Sequence, residues 1–359
     1  MTLKLEEMNF KETNQLYESW LRKQFFVIET DLSLKHERMK ESPFPFLRAT
    51  FYRWCGLWQK NMASFAKAPL ILGVGDLHIE NYGTWRDLEG RLIWGINDFD
   101  EACEMPYAID LVRLGCSAQI ASSCDHLNLS LKKIMDAILD GYVTCLKNGG
   151  RAFVLEEEHA FLREIATQSF RDPRHFFEKL NPRFPSLLKP SSEIKKILVS
   201  HLPAGSVNLE FAHRSAGLGS LGRPRFIVLA ELNGGRIVRE TKGLCAPAFL
   251  WSSGRSGAVC YQKIIDQSVR MSDPVLRLEK KWVTRRLAPH CTKIEIAALP
   301  RKLDELKLMN AMGFELGNIH MKYRRVILAD LKKRRKSDWT DAVKLMSELT
   351  MNDWHQWLK

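Results

Sequence analysis

The sequence predicts an α+β protein of two lobes, a β-rich small lobe over residues 206–300 and a mainly helical large lobe built from residues 1–205 and 301–359. Three observations predict it. Residues 1–72 contain a single glycine, Gly56, and read as helices. With strands of about 6 residues and helices of about 11, that stretch has no room for a sheet as well. Between residues 214 and 242 the pattern changes to a Gly-rich segment, an apolar run over 225–230, a turn at Asn233-Gly234-Gly235 and a second run over 236–241, the signature of a hairpin. From residue 303 to 323 the apolar positions Leu306, Met309, Met312, Phe314, Leu316 and Ile319 return to helical spacing. At 359 residues the chain is long enough for about two domains.

Taken in order, Phe51, Trp54 and Trp58 stand at helical spacing and put aromatic rings on one face of an early helix. A short strand is expected at 71–74 and another at 91–96, bracketing a tight loop. An apolar helix opens near Asp110 and runs to about residue 122. Amphipathic helices follow at 157–170 and 192–202, separated by Pro182, Pro185 and Pro190, and read as scaffold that shares in the substrate pocket. A helix over 261–271 follows the hairpin, and its Asp266 is the carboxylate it offers to the strand lysine, Lys242.

Two short stretches carry the chemistry. Gly75-Asp76-Leu77-His78-Ile79-Glu80-Asn81 sets Asp76 and Asn81 five positions apart, and Ile96-Asn97-Asp98-Phe99-Asp100 follows on the next hairpin. Phosphoryl-transfer enzymes of the kinase type use such a set: one Asp accepts the proton of a substrate hydroxyl, while an Asn and an Asp-Phe carboxylate hold magnesium against nucleotide phosphates. Asp76 is therefore the expected base, and Asn81 and Asp98 the expected ligands of Mg²⁺, with Mn²⁺ as an alternative. Asp100 reads equally as a further ligand or as a loop carboxylate. His78 is expected to orient the loop by hydrogen bonding, and His320 to be a packed or capping histidine.

Gly217-Leu218-Gly219-Ser220-Leu221-Gly222 is a G-x-G-x-x-G segment. In a dinucleotide-binding fold the third glycine must open a helix, whereas here Pro224 and a β-rich run follow. The segment reads instead as a phosphate cradle. Gly217, Gly219, Ser220 and Gly222 let the backbone approach ATP, and Lys242, ending the second strand, adds a point charge to the phosphates.

These motifs resemble the aminoglycoside-phosphotransferase and choline-kinase branch of the kinase-like enzymes. There the catalytic loop reads Gly-Asp-Leu-His-x-x-Asn, and the metal loop is followed by Pro and Asp-Leu-x-Arg, here Pro106 and Asp110-Leu111-Val112-Arg113. The stretch Gly313-Phe314-Glu315-Leu316-Gly317-Asn318-Ile319-His320 looks like the helix that precedes the catalytic loop in that class, yet it lies near the C-terminus. The resemblance therefore implies a circularly permuted, two-lobed protein-kinase-like fold, with ATP and Mg²⁺ as cofactors. In this order the chain is similar to the bacterial family known as domain of unknown function 2252. The matching residues are Arg38-Met39, Ser42-Pro43-Phe44-Pro45-Phe46-Leu47-Arg48, the two loops, the Gly-rich segment and Lys242, over 38–325. Where that family follows its strand Lys with Glu-Ala, this chain has Gly243-Leu244.

Composition bounds the rest. Eight cysteines show no C-x-x-C pair, residues 1–6 lack the apolar core of a leader, and no apolar run approaches the ~18 residues of a membrane span, so a cytoplasmic protein is expected. The formal charge is +12. Residues 322–336 hold eight Lys or Arg and one Asp, a net +7. Such a run is a solvated helix face first, and an attraction for an anionic acceptor or an acidic partner second; nucleic acid ranks below these because no aromatic-interleaved binding motif accompanies it. Three function classes stand: a phosphotransferase acting on a hydroxyl of a small molecule, a nucleotide-binding pseudoenzyme or interaction protein, and a nucleotidyl transferase with ATP reversed.

Overall fold

The computed structural model describes residues 8–124, 127–156, 158–168, 172–180, 188–291, 293 and 304–359. The architecture is mixed α+β with several sheets. Helix α1 (Phe10–Gln24) starts at a capping box, Asn9 receiving the Glu12 amide and Glu12 receiving the Asn9 amide. Helices α2 (Glu29–Glu41) and α3 (Pro43–Ala49) follow, the second opened by a proline whose missing N–H would have no partner in a first turn anyway. In α4 (Phe51–Asn61) the expected aromatic face is present: Phe51 stacks on Trp54 and Trp54 on Trp58, with centroids 6.1 and 5.4 Å apart.

Strand β1 (Leu70–Gly73) leads into the first loop, and β2 (Tyr82–Arg86) and β3 (Leu92–Ile96) form the hairpin after it. Strand β4 (Cys103–Pro106) returns to pair antiparallel with β1. The apolar helix α5 (Ala108–Ser123) comes next, then α6 (Leu131–Asn148), which ends on Gly149 in the left-handed conformation. Strand β5 (Phe153–Val154) extends the β2–β3 sheet. The helices expected at 157–170 and 192–202 are α7 (Ala160–Gln168) and α9 (Ser192–Ser200), with α8 (Pro173–Leu180) between them; Pro182 and Pro185 lie outside the described residues.

The hairpin expected after residue 214 belongs to a five-stranded antiparallel sheet, order β6-β7-β8-β10-β9. Its strands are β6 (Val207–His213), β7 (Arg225–Leu232), β8 (Gly235–Gly243), β9 (Arg277–Glu279) and β10 (Trp282–Leu287). Asn233 and Gly234 form the two-residue turn between β7 and β8, both with positive φ, as a type I′ hairpin requires. Between β8 and β9 lie α10 (Ala248–Ser252) and α11 (Tyr261–Gln267). The part of the expected small lobe at 294–300 lies outside the described residues.

Helix α12 (Glu305–His320) confirms the apolar helix read near the C-terminus, though its expected first residue, Leu303, is outside the described set. It crosses α6 at close range: a Cβ on Gly141 would run into the Asn310 carbonyl, and one on Gly313 into the Ile138 carbonyl. Only glycine lets the two backbones meet there. Helices α13 (Arg324–Leu331) and α14 (Lys336–Leu358) follow, and the basic run is not one helix face as expected: Lys332, Lys333, Arg334 and Arg335 form the connection between the two helices. Most of the run's side chains are exposed, and Arg334 pairs with Asp330 and Lys336 with Asp136. Among the described residues no helix is long and apolar enough to cross a membrane.

Candidate functional site

The first loop is held from below. Asp110, fully buried near the start of α5, accepts the backbone N–H groups of Val74 and Gly75 at 2.7 and 2.8 Å. His320, at the end of α12, lies 3.0 Å from the same carboxylate through Nε2, and its Nδ1 pairs with the Tyr142 hydroxyl at 2.8 Å. His320 is thus a packed residue, and through Asp110 it braces the loop. Asn81 closes the loop by donating its amide to the carbonyls of Asp76 and Asp98, at 3.3 and 3.2 Å. That bond pair ties the two sequence motifs together. It also turns Oδ1 of Asn81 away from the backbone, buried and without a protein partner. His78 is buried, and its Nδ1 has no protein partner, so that nitrogen does not make the expected loop-orienting hydrogen bond.

The second loop meets the five-stranded sheet. Lys242 Nζ lies 3.3 Å from Asp98 Oδ1 and makes a closer ion pair with Asp100. Asp266 is not its partner; it is exposed and accepts a hydrogen bond from Gln262. A second ammonium, Lys293, stands 3.6 Å from Asp98 Oδ2. Desolvation works to raise the Asp98 carboxyl, but Lys242 and Lys293 overcome it and hold it well below the usual carboxylate range. Asp100 goes the other way, pushed up by burial and by the Asp98 charge beside it, with Lys242 opposing. Burial and the neighbouring Arg285 and Arg48 bring the Lys293 ammonium down to about 8, against the pull of Asp98.

The Gly-rich segment lies over both loops. A Cβ on Gly219 would stand 3.5 Å from Asp76 Oδ2, in contact, and 3.0 Å from the Arg48 carbonyl, which it would press. Ser220 accepts a hydrogen bond from Arg225 Nη2 at 2.7 Å and donates to the Gly217 carbonyl. Gly217 and Gly219 line the space above Asp76 and Asp98, with Ser220 beside them. Gly222 does not. It packs against Leu32 and Val27, and its carbonyl receives the Ile28 N–H.

Asp76 is less free than the sequence suggested. Arg113, with no exposed surface, donates Nε and Nη2 to Asp76 Oδ1 at 3.1 and 2.7 Å. Its guanidinium lies over Phe51 and Trp54, 5.2 and 5.3 Å from the ring centroids. Oδ1 is thus committed to structure, and Oδ2 faces the Gly-rich segment. Burial raises the Asp76 carboxyl, with Arg113 restraining the rise.

Two spaces flank this arrangement and share Arg48, Asp98, Gly217, Leu218 and Lys293. The smaller, ≈ 60 Å³, opens on Asp76. The larger, ≈ 430 Å³, lies beside Asp98, with Tyr261, Trp85 and Phe99 among its walls, a size within the range of small-ligand sites. Among the described residues no three His, Cys, Asp or Glu side chains gather as a metal-binding set. A divalent cation here would rest on Asp98, Asp100 and the orphaned amide oxygen of Asn81, the remainder coming from phosphate oxygens, a donor set suited to magnesium. The residues not singled out from sequence are Arg113, Lys293, Arg48 and the Arg223–Glu101 pair, 3.1 Å apart. Of these Arg113 had a signal in the Asp-Leu-x-Arg run and Arg48 in the run Ser42–Arg48, but neither was given a role in the site.

The family model described as an uncharacterized protein conserved in bacteria, domain of unknown function 2252, matches residues 27–184. That stretch contains both loops and Arg113 but ends before the Gly-rich segment and Lys242. No curated protein and no solved structure matches the chain.

Proposed function

We propose that this chain is an ATP- and magnesium-dependent phosphotransferase acting on a hydroxyl group of a small-molecule acceptor, built on a circularly permuted, two-lobed kinase-like fold. The observation that carries the reading is convergence: Asp76, Asn81 and Asp98 line one space with Gly217–Ser220, and Lys242, 144 residues from Asp98 in sequence, pairs with Asp98 there. The fold reading is supported by a five-stranded sheet whose first two strands flank the Gly-rich segment and whose third carries the lysine. A cytoplasmic setting, with reduced thiols, belongs to the same proposal.

In this reading Asp76 Oδ2 takes the acceptor's hydroxyl proton while the acceptor oxygen bonds to the γ-phosphorus. The bond from that phosphorus to the bridging oxygen breaks, and ADP leaves with the electron pair. Arg113 keeps Asp76 in one rotamer. Lys242, drawn from Asp98 and Asp100 toward phosphate oxygens, holds the chain in line. Magnesium, when bound by Asn81, Asp98 and Asp100, would neutralise charge on the phosphates. The test is a screen of metabolite pools with γ-labelled ATP, with and without magnesium. Metal-dependent transfer to one hydroxyl compound is the expected result, and Mg-ATP binding without any transfer would move the reading to a nucleotide-binding interaction protein. Nucleotidyl transfer is the second reading, favoured by the cationic walls of the larger cavity, which suit phosphates where a base would otherwise lie. Label retained from α- but not γ-labelled ATP would select it.

A further inference from the structure

The larger cavity is lined by eight Arg or Lys side chains and three carboxylates. The excess has an organised centre. Glu240 on β8, with no exposed surface, accepts hydrogen bonds from Arg225 Nη1 at 2.7 Å and Arg285 Nε at 2.8 Å, and pairs closely with Arg214. The three guanidiniums come from the residue after β6, the first residue of β7 and the middle of β10, and the Arg214 N–H donates to the Arg225 carbonyl, so the sheet fixes their spacing. One buried carboxylate thus gathers three guanidiniums in a partly desolvated place, at the wall of a cavity whose cations outnumber its carboxylates. Like charges so confined repel unless an anion joins them. Guanidinium forks match phosphate oxygens in geometry as well as charge.

The cluster is also connected. Arg225 reaches the Gly-rich segment through Ser220 Oγ at 2.7 Å. Arg285 acts electrostatically on both Asp98 and Lys293, so positive charge continues from the cluster to the second loop. We propose that Arg214, Arg225 and Arg285, organised by Glu240, bind phosphate oxygens of an oligophosphate chain that extends to Asp98. The chain belongs either to a nucleoside triphosphate or to an inorganic oligophosphate. The site is defined by binding and stands apart from whether any group is transferred.

Calorimetry on the full chain with inorganic tripolyphosphate, without divalent metal or acceptor, tests this. Tripolyphosphate is expected to bind, and Arg285→Ala to weaken it on the order of tenfold to a hundredfold, the loss of a charge-assisted hydrogen-bonding group. Lys333→Ala removes the same charge from the exposed basic run and should change binding by no more than about twofold. Should Arg285→Ala fail to fold by circular dichroism, Arg214→Ala makes the same test at a second member of the cluster. Displacement of tripolyphosphate by ATP but not by adenosine supports the nucleotide as source; simultaneous binding of both supports a separate oligophosphate. Tripolyphosphate affinity equal in the parent and the cluster variants, or lowered as much by Lys333→Ala, overturns the proposal. An absence of phosphoryl transfer would count against the catalytic reading and leave this result where it is.

Discussion

Glu315 offers the most quantitative test of how the site is braced. It is buried on α12, where Oε1 accepts the Ile96 N–H at 3.2 Å, one residue before Asn97-Asp98, and Oε2 accepts from Asn318 Nδ2 at 2.9 Å. Burial raises its carboxyl from 4.5 to about 7, with Arg270, Asn318 and the Ile96 amide opposing. A folded-state value above the unfolded one means that the folded chain binds the extra proton. The stability this adds is therefore complete below pH 4.5 and lost as pH rises through about 7. At ~1.4 kcal/mol per pH unit the full loss is about 3 kcal/mol. Glu315→Gln is neutral throughout and should abolish that dependence. It sacrifices one acceptor, a loss of about 1 kcal/mol, so it should be slightly less stable than the parent near pH 5 and more stable near pH 8. Urea unfolding of both proteins from about pH 5 to about pH 8 gives the difference directly. Glu101, also raised to about 7 by burial, titrates in both proteins and cancels. Parallel stability curves for parent and variant would show that Glu315 does not titrate in this window, and the reasoning would fail.

Other expectations follow from the site. Asp98→Ala removes the carboxylate that Lys242 and Lys293 share and should abolish metal-dependent ATP binding in calorimetry with the fold intact; binding of Mg-ATP equal to the parent's would take Asp98 out of the metal site. Asp76→Asn should keep ATP affinity and lower turnover by roughly 10²–10⁴-fold, whereas Lys242→Ala should weaken nucleotide binding as well; unchanged turnover in Asp76→Asn would remove that residue from the mechanism. Arg113→Met breaks a buried ion pair and should destabilise the chain by about 3–5 kcal/mol. With Arg113 gone, burial raises the Asp76 carboxyl further, so the acidic limb of the pH–rate profile should move to higher pH; a limb that stays put would mean that Asp76 does not set it.

What could be read from the sequence was whatever local chain geometry decides. Asp76 and Asn81 stand five positions apart, and one loop suffices to bring them to the same side. Asn233-Gly234 needed only its own backbone preferences to make the hairpin turn, and the rings of Phe51, Trp54 and Trp58 needed only helical spacing. The residues that sequence did not disclose are those placed by tertiary packing. Lys293 stands in a stretch with no motif, and reaches Asp98 because residue 293 bridges to Gly83 of β2. Glu240 is one polar position in a strand until Arg214, Arg225 and Arg285 surround it. The third glycine of G-x-G-x-x-G was assigned to the phosphate cradle by spacing alone, and the turn after Ser220 carries Gly222 to α2 instead. Asp266 shows the same lesson in reverse: helical sequence placed it near Lys242 in order, but the register of α11 points it to solvent.

The long separations within the site have a consequence for how the protein is made. Asp98 and Lys242 are 144 residues apart, and Asp110 and His320 are 210 apart. Ribosomes extend a chain at about 5–20 residues per second. Both carboxylates of the second loop therefore leave the ribosome roughly 7–30 s before the first ammonium that will face them, and Lys293 follows later. The aromatic packing of α4 can settle in that interval, but the loop that holds Asp76 waits for α12 to supply its brace. In the nascent chain, the pocket's charge balance is among the last features to be completed.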